Sequence, residues 1–238
     1  MNKLALIFPF VLISPLHAET LAQFEKKLIK QYEQKAFYEI NQDIESAVVA
    51  KIKQDPTSFD YSFPNIQDSY SLRIHFSPDK KLKFYTFDVG SGGTMGEFSS
   101  YVQSNSIGKN ALTPIETGFI LDVKQTVFAQ QPVYLVENYY KASSCMGAYA
   151  INAFKPNPDG SMQPVKIFQT KKAALNHVEV SFDCQNHQGG QEVPEYIRID
   201  KKLNTIDFLL LNKDGKPLGK YLRYAKTQSN YQYSGVVK

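Results

Sequence analysis

The sequence predicts an α+β, mainly β fold, in which hairpins form a curved antiparallel sheet or sandwich and one long N-terminal amphipathic helix packs on it. Apolar residues recur at three- to four-residue spacing from Leu21 to Ile52, the period of one helix face. After Asp55-Pro56 the period falls to two, and turns built on Asp, Pro and Gly separate the alternating segments.

Ahead of these elements, Lys3, the apolar run Leu4 to Ile13 and the small Ala18 before Glu19 spell a cleavable secretory signal peptide over residues 1–18. An apolar run of roughly ten residues falls short of the roughly twenty needed to span a bilayer, so no membrane span is expected. Glu19 stands where a lipoprotein would carry its acylated cysteine, so no lipid anchor is expected either. The sequence therefore predicts an exported chain, periplasmic or secreted, with residues 19–238 as one mainly-β domain.

The helix is expected over about 20–53, with Leu21, Phe24, Leu28, Tyr32, Ala36, Ile40, Ile44, Val48 and Ile52 on its apolar face. Glu25, Lys26, Lys27, Lys30, Glu33, Lys35, Glu39 and Lys51 fall between them and read as a solvated face. Ser71 to Ser77 and Leu82 to Asp88 form a hairpin around Pro78-Asp79-Lys80-Lys81. Further strands are expected near 117–128, 132–140, 145–154 and 162–170, the last two joined through Pro156 to Gly160. His177 to Cys184 reads as one strand, Tyr196 to Asp200 pairs with Thr205 to Leu211, and Lys213 to Lys216 turns into Leu218 to Ala225. The tail from Gln228 frays or adds an edge strand. The turns are too irregularly spaced for a propeller, and no linker divides the chain.

The formal charge of +4 includes only Lys3 from the leader, so the mature chain sits near neutrality at about +3. Its Lys and Glu alternate, which argues against a nucleic-acid surface. Cys145 and Cys184 are the only cysteines and lack CxxC spacing, which in an exported chain predicts a structural disulfide.

The most unusual local composition runs from Asp88 to Glu97, with Gly90, Ser91, Gly92, Gly93 and Thr94 at its centre. No Lys-Ser/Thr follows as a Walker A loop requires, and Met95 breaks GxGxxG, so a nucleotide cofactor is not expected. Thr94-x-x-Glu97 has the form of a capping box that would begin a helix and leave backbone N–H groups for an anion. In the strand His177 to Cys184 the odd positions are polar and the even ones apolar. That pattern points Val178, Val180, Phe182 and Cys184 inward and sets His177, Glu179 and Asp183 in an outer row, near His187 and Glu192.

GxSxG is absent, and the two Ser-x-x-Lys matches, at Ser77 and Ser106, lack companion motifs. With only His75, His177 and His187 after the leader, no zinc site is assigned. No catalytic or metal residue is therefore expected. Fifteen tyrosines and no tryptophan suit either strands or a recognition surface, with Tyr139-Tyr140, Tyr221, Tyr224, Tyr231 and Tyr233 grouped near strand ends. The expectation is a non-catalytic binding protein of the bacterial cell envelope, without a cofactor, that engages another protein as inhibitors, immunity factors and accessory proteins do. Its contacts would be Gly90, Ser91, Gly92, Gly93, Thr94, Tyr139 and Tyr140. The alternatives are a secreted hydrolase acting on an envelope polymer through His177, Glu179, Asp183 and His187, or a small-ligand carrier with a cavity between helix and sheet.

Overall fold

The computed structural model describes residues 19–70, 72–105, 111–187 and 194–238; the leader proposed for 1–18 and Glu192 lie outside them. Two helices, α1 (Leu21–Tyr32) and α2 (Phe37–Gln54), lead through a 3-10 turn, Pro56–Phe59, to the short α3 (Pro64–Ser69). Four strands follow as the first sheet: β1 (Leu72–Phe76), β2 (Leu82–Asp88), β3 (Phe98–Ser104) and β4 (Ala111–Ile115), paired in that order. The second sheet has the order β11-β7-β6-β5, from β5 (Phe119–Phe128), β6 (Gln131–Lys141), β7 (Met146–Pro156) and β11 (His177–Asp183), with β8 (Met162–Pro164) also on β7. The third runs β10-β9-β15-β14-β13-β12, from β9 (Phe168–Gln169), β10 (Ala174–Leu175), β12 (Ile197–Ile199), β13 (Thr205–Leu211), β14 (Pro217–Lys226) and β15 (Tyr231–Val237).

The fold is mainly β, as expected, but it has three sheets where the sequence suggested one or two. Three apolar cores separate four layers. The first, around Ile44, Val48, Tyr85 and Phe87, joins the helices to the first sheet. The next, around Phe84, Val102, Ile120 and Val136, joins the first sheet to the second. The last, around Leu135, Ile151, Phe168, Phe208 and Tyr231, joins the second to the third. Strand β6 explains the middle layer: Val133 and Leu135 enter one core while Tyr134 and Val136 enter the other, so both of its faces are buried.

The single helix expected over 20–53 is two. Thr20 caps α1 with a reciprocal box to Gln23, and the chain leaves helical geometry before Ala36, whose ψ of 140° is extended. No Gly or Pro forces this break; α1 packs on α3 while α2 lies against the first sheet, and one straight rod could not do both. Glu25 is not on a solvated face but fully buried. Its carboxylate accepts from the Tyr61 hydroxyl, from Asn65 Nδ2 at 3.2 Å and from the Ile66 backbone N–H at 3.1 Å. Phe63 at the N-cap of α3 offers no side-chain bond, so Glu25 supplies the cap from another helix.

Two further expectations are corrected. Residues 162–170 do not form one strand: β8 stays on β7, while Phe168–Gln169 crosses to the third sheet. The tail is neither frayed nor an edge, because β15 lies between β14 and β9, antiparallel to the first and parallel to the second. Its Tyr231 is fully buried and stacks on Phe168.

Cys145 and Cys184 form the expected disulfide, their Cα atoms 5.0 Å apart. Cys184 itself is exposed rather than inward, because β11 ends at Asp183 and a 3-10 turn begins at Cys184. The bridge closes a separation of 39 residues. Chain entropy sets a ceiling of about 4 kcal/mol on its contribution, and a compact denatured ensemble lowers that to about 3 kcal/mol. Replacing both cysteines by serine is therefore expected to lower the unfolding free energy in urea by about 3 kcal/mol; a loss below about 1 kcal/mol would contradict a stabilising bridge.

Candidate functional site

A cleft of about 710 Å³ opens where the connection from β4 to β5 crosses the second sheet. Pro114, Ile115, Glu116 and Thr117 form one wall; Tyr140 of β6, Asn152 and Phe154 of β7, Met162 and Pro164 of β8, and Asn176, His177 and Glu179 form the rest. Strand pairing puts the polar groups together. His177 stands opposite Asn152 and Glu179 opposite Ala150 in the β11–β7 ladder.

A buried amide network fixes the crossing segment. Asn138 on β6 is fully buried; its Nδ2 donates to Asn152 Oδ1 at 2.9 Å and to the Val136 carbonyl at 3.0 Å, while its Oδ1 accepts from the Gly118 N–H at 3.3 Å. Asn152 Nδ2 in turn donates to the Glu116 carbonyl at 3.5 Å. Gly118 passes so close to β6 that a Cβ there would lie 2.3 Å from the Tyr139 carbonyl oxygen, so only glycine fits the approach. Glu116 and Thr117 are thereby held over the cleft with their side chains free to face it.

Burial pushes the Tyr140 phenol above its ordinary pKa, and the charges of Glu179 and Glu116 push the same way, while the Asn152 side chain and the Gly118 backbone oppose them. Both carboxylates thus act on one hydroxyl. Thr117 is 8% exposed, and among the described residues its hydroxyl has no hydrogen-bond partner. It also borders a second recess, about 300 Å³, lined by Gly96, Phe98, Gly118, Tyr140, Lys141 and Ala142. Thr117 and Tyr140 are common to both spaces, so cleft and recess adjoin.

The glycine loop reaches this surface through Gly96, whose N–H donates to the Lys141 carbonyl at 2.9 Å. At its other end Asn41 of α2 donates to the Gly90 carbonyl, and the ring of Tyr38 lies against Gly92, whose φ of 89° suits glycine. Ser91, Gly92, Gly93 and Thr94 are exposed between these anchors, flanked by Met95 at 64% and Tyr38 at 54% exposure. The Thr94-x-x-Glu97 capping box is not realised: Phe98 begins β3, so the loop joins two antiparallel strands and presents no helix N-terminus to an anion.

The remaining sequence candidates separate. Tyr139 faces away from Tyr140 and joins a ring cluster with Tyr149 and Phe182, the latter stacked at 5.9 Å. Tyr221, Tyr224 and Tyr231 are buried in the third layer and are core residues, not a recognition surface. Asp183 does not line the cleft; four residues beyond Glu179, roughly 14 Å along an extended strand, its carboxylate accepts from the Gln185 N–H and lies 3.7 Å from Cys145 Sγ. The row His177, Glu179, Asp183 therefore contributes two of its three members to one space. Sequence reasoning missed Glu116, Thr117, Asn138 and Asn152. The one available signal was Thr117-Gly118 between two alternating segments, a weak mark of close backbone approach.

No family profile, no curated protein and no solved structure matches the chain, so fold and function rest on the geometry described above.

Proposed function

We propose that this chain is an exported, non-catalytic binding protein of the bacterial cell envelope, which engages another protein across the glycine loop and the cleft beside it. The observation that carries the reading is the shared wall: Thr117 and Tyr140 border both cleft and recess, and the recess ends at Gly96 of the loop. A partner segment laid along that wall would meet exposed Met95 and Tyr38 at one end and polar side chains at the other. The leader at 1–18, the disulfide and the lack of a nucleophile motif in the sequence are consistent with export and with recognition rather than turnover. Within the described helices, none is long and apolar enough to cross a membrane.

The test is retention of a partner from envelope extract and culture supernatant by the immobilised, disulfide-bonded protein. Two blocking variants serve as controls: Gly93→Arg/Met95→Asp at the loop, where the Gly93 Cβ direction is open, and Pro164→Trp at the exposed lip of the cleft. The expected result is one stoichiometric protein whose affinity falls at least about tenfold with either variant. Equal retention by all three baits, or none by any, overturns the reading.

One observation favours a second reading, a hydrolase acting on an envelope polymer: Glu116 and Glu179 line the same cleft. Release of soluble fragments from envelope polymers, abolished by Glu179→Gln, would select it. The carrier reading has less to support it, since the space between α2 and the first sheet is filled, leaving about 10 Å³ beside Phe37, Asn41 and Phe87.

A further inference from the structure

We propose that the cleft takes a cationic side chain, a lysine or arginine of the protein partner, with Glu116 and Glu179 as its counter-charges and Tyr140 and Thr117 beside it. This rests on the binding reading above and names the chemistry of what is bound. Charge is the first argument. Among the described residues, the cleft is lined by two carboxylates and His177, with no lysine or arginine, on a chain whose overall charge is +4. Among the described residues neither Glu116 nor Glu179 has a salt-bridge partner, whereas other acids such as Asp55, Asp122 and Asp207 are paired within the protein. Two uncompensated carboxylates around one opening form a local negative field that a cation would complete.

The buried hydroxyl of Thr117 points the same way independently of charge. Thr117 is more than nine-tenths buried, lines the cleft and has no partner for its hydroxyl among the described residues. Buried hydroxyls are nearly always bonded, and a hydroxyl acceptor beside two carboxylates completes the three-acceptor set that an ammonium or guanidinium seeks. Tyr140 and Phe154 offer ring surface, and Ile115 and Met162 offer aliphatic surface, which suits the methylene stem of a long basic side chain whose head remains polar. The 710 Å³ volume accommodates such a side chain with its flanking backbone. Among the described residues that line either space, the one cation is Lys141, which borders the recess and not the cleft, so a basic residue is directed to the Glu116 and Glu179 end.

The experiment is a titration of the isotope-labelled protein with acetyl-Ala-Lys-Ala-amide, with acetyl-Ala-norleucine-Ala-amide as the uncharged isostere and n-butylamine as the free cation. The readout is the side-chain amide signals of Asn138 and Asn152. The lysine peptide is expected to bind saturably in about the millimolar range, and the norleucine peptide at least about tenfold more weakly. Glu116→Gln/Glu179→Gln is expected to remove that difference, and Thr117→Val to weaken the lysine peptide about threefold with the same pattern of shifts. Equal binding of lysine and norleucine peptides, or undiminished binding by the double glutamine variant, overturns the proposal. n-Butylamine binding as tightly as the peptide would also overturn it, by placing the source in a small free amine.

The same double variant separates the two readings when used as bait. If the protein partner is retained at undiminished affinity, the charge inference fails and the binding reading stands. If no bait retains a partner while the lysine peptide still discriminates, the cation site stands and the protein-binding reading fails.

Discussion

Lys83→Ala is expected to cost about 5 kcal/mol of unfolding free energy, close to the whole stability of many domains. Lys83 sits on β2, fully buried between the helices and the first sheet. Its Nζ donates to the Ser58 carbonyl at 2.8 Å and to the Tyr61 carbonyl, and it lies over the rings of Phe63, Phe76 and Tyr85. Alanine would leave a cavity where the stem was and two buried carbonyls unpaired. Lys83→Met keeps the volume and isolates the second effect, so about half the loss is expected from it.

Acidity supplies a sharper signature. Burial pushes the Lys83 ammonium down to about 7, with the charge of Asp60 opposing the shift. A neutral amine has two N–H donors, which the two carbonyls accept in full. The unfolded chain still binds the proton up to the ordinary lysine value of 10.5, so between those limits it carries more protons than the folded one. Stability therefore rises with pH above 7 and is flat below it with respect to this group. The native protein is expected to be about 2 kcal/mol more stable at pH 9 than at pH 7 through Lys83 alone. Urea unfolding of native and Lys83→Met protein at both pH values measures it; parallel profiles would refute the assignment.

The second large effect belongs to Glu25. Glu25→Ala is expected to lower stability by about 4 kcal/mol, because one buried carboxylate serves three donors and caps α3. Glu25→Gln retains an acceptor for the Ile66 N–H and should lose about half as much. Chemical unfolding gives the energies, and limited proteolysis between residues 58 and 69 locates the damage. A loss below about 1 kcal/mol with alanine would show that α3 is held by other contacts. Glu25 and Lys83 both grip Tyr61, one at its hydroxyl and the other at its carbonyl, so their losses should not add.

These two residues also show where sequence reading stops. Glu25 falls between apolar positions of α1 and looks solvent-bound, and Lys83 looks like an outward strand residue. Each is buried because a second layer arrives on what would otherwise be a free face, and the charged residue itself gives no sign of that layer. The runs Leu82 to Phe87 and Val133 to Val136 held the clue: apolar residues on both parities mark strands covered on both sides. Local signals were read well, as in the Leu82–Asp88 strand, the hairpin of β13 and β14 and the disulfide. The helix break at Glu33 to Ala36 has no local cause and follows from the two surfaces that α1 and α2 must cover. In the site, His177 and Glu179 were legible as one strand face, but Glu116 and Thr117 reach it by a crossing segment without periodicity.

Strand β15 imposes an order in time. Because it fills the gap between β9 and β14, the third sheet has two facing open edges in its middle until residues 231–237 have emerged. The layers built from α1 to β6 require nothing so late, so an emerging chain can assemble its N-terminal half first and must keep the other half open. Over that interval Phe168 lacks the ring that stacks on it, and both edges invite a strand from a neighbouring molecule. The sheet closes from its centre, and β15 acts as its keystone.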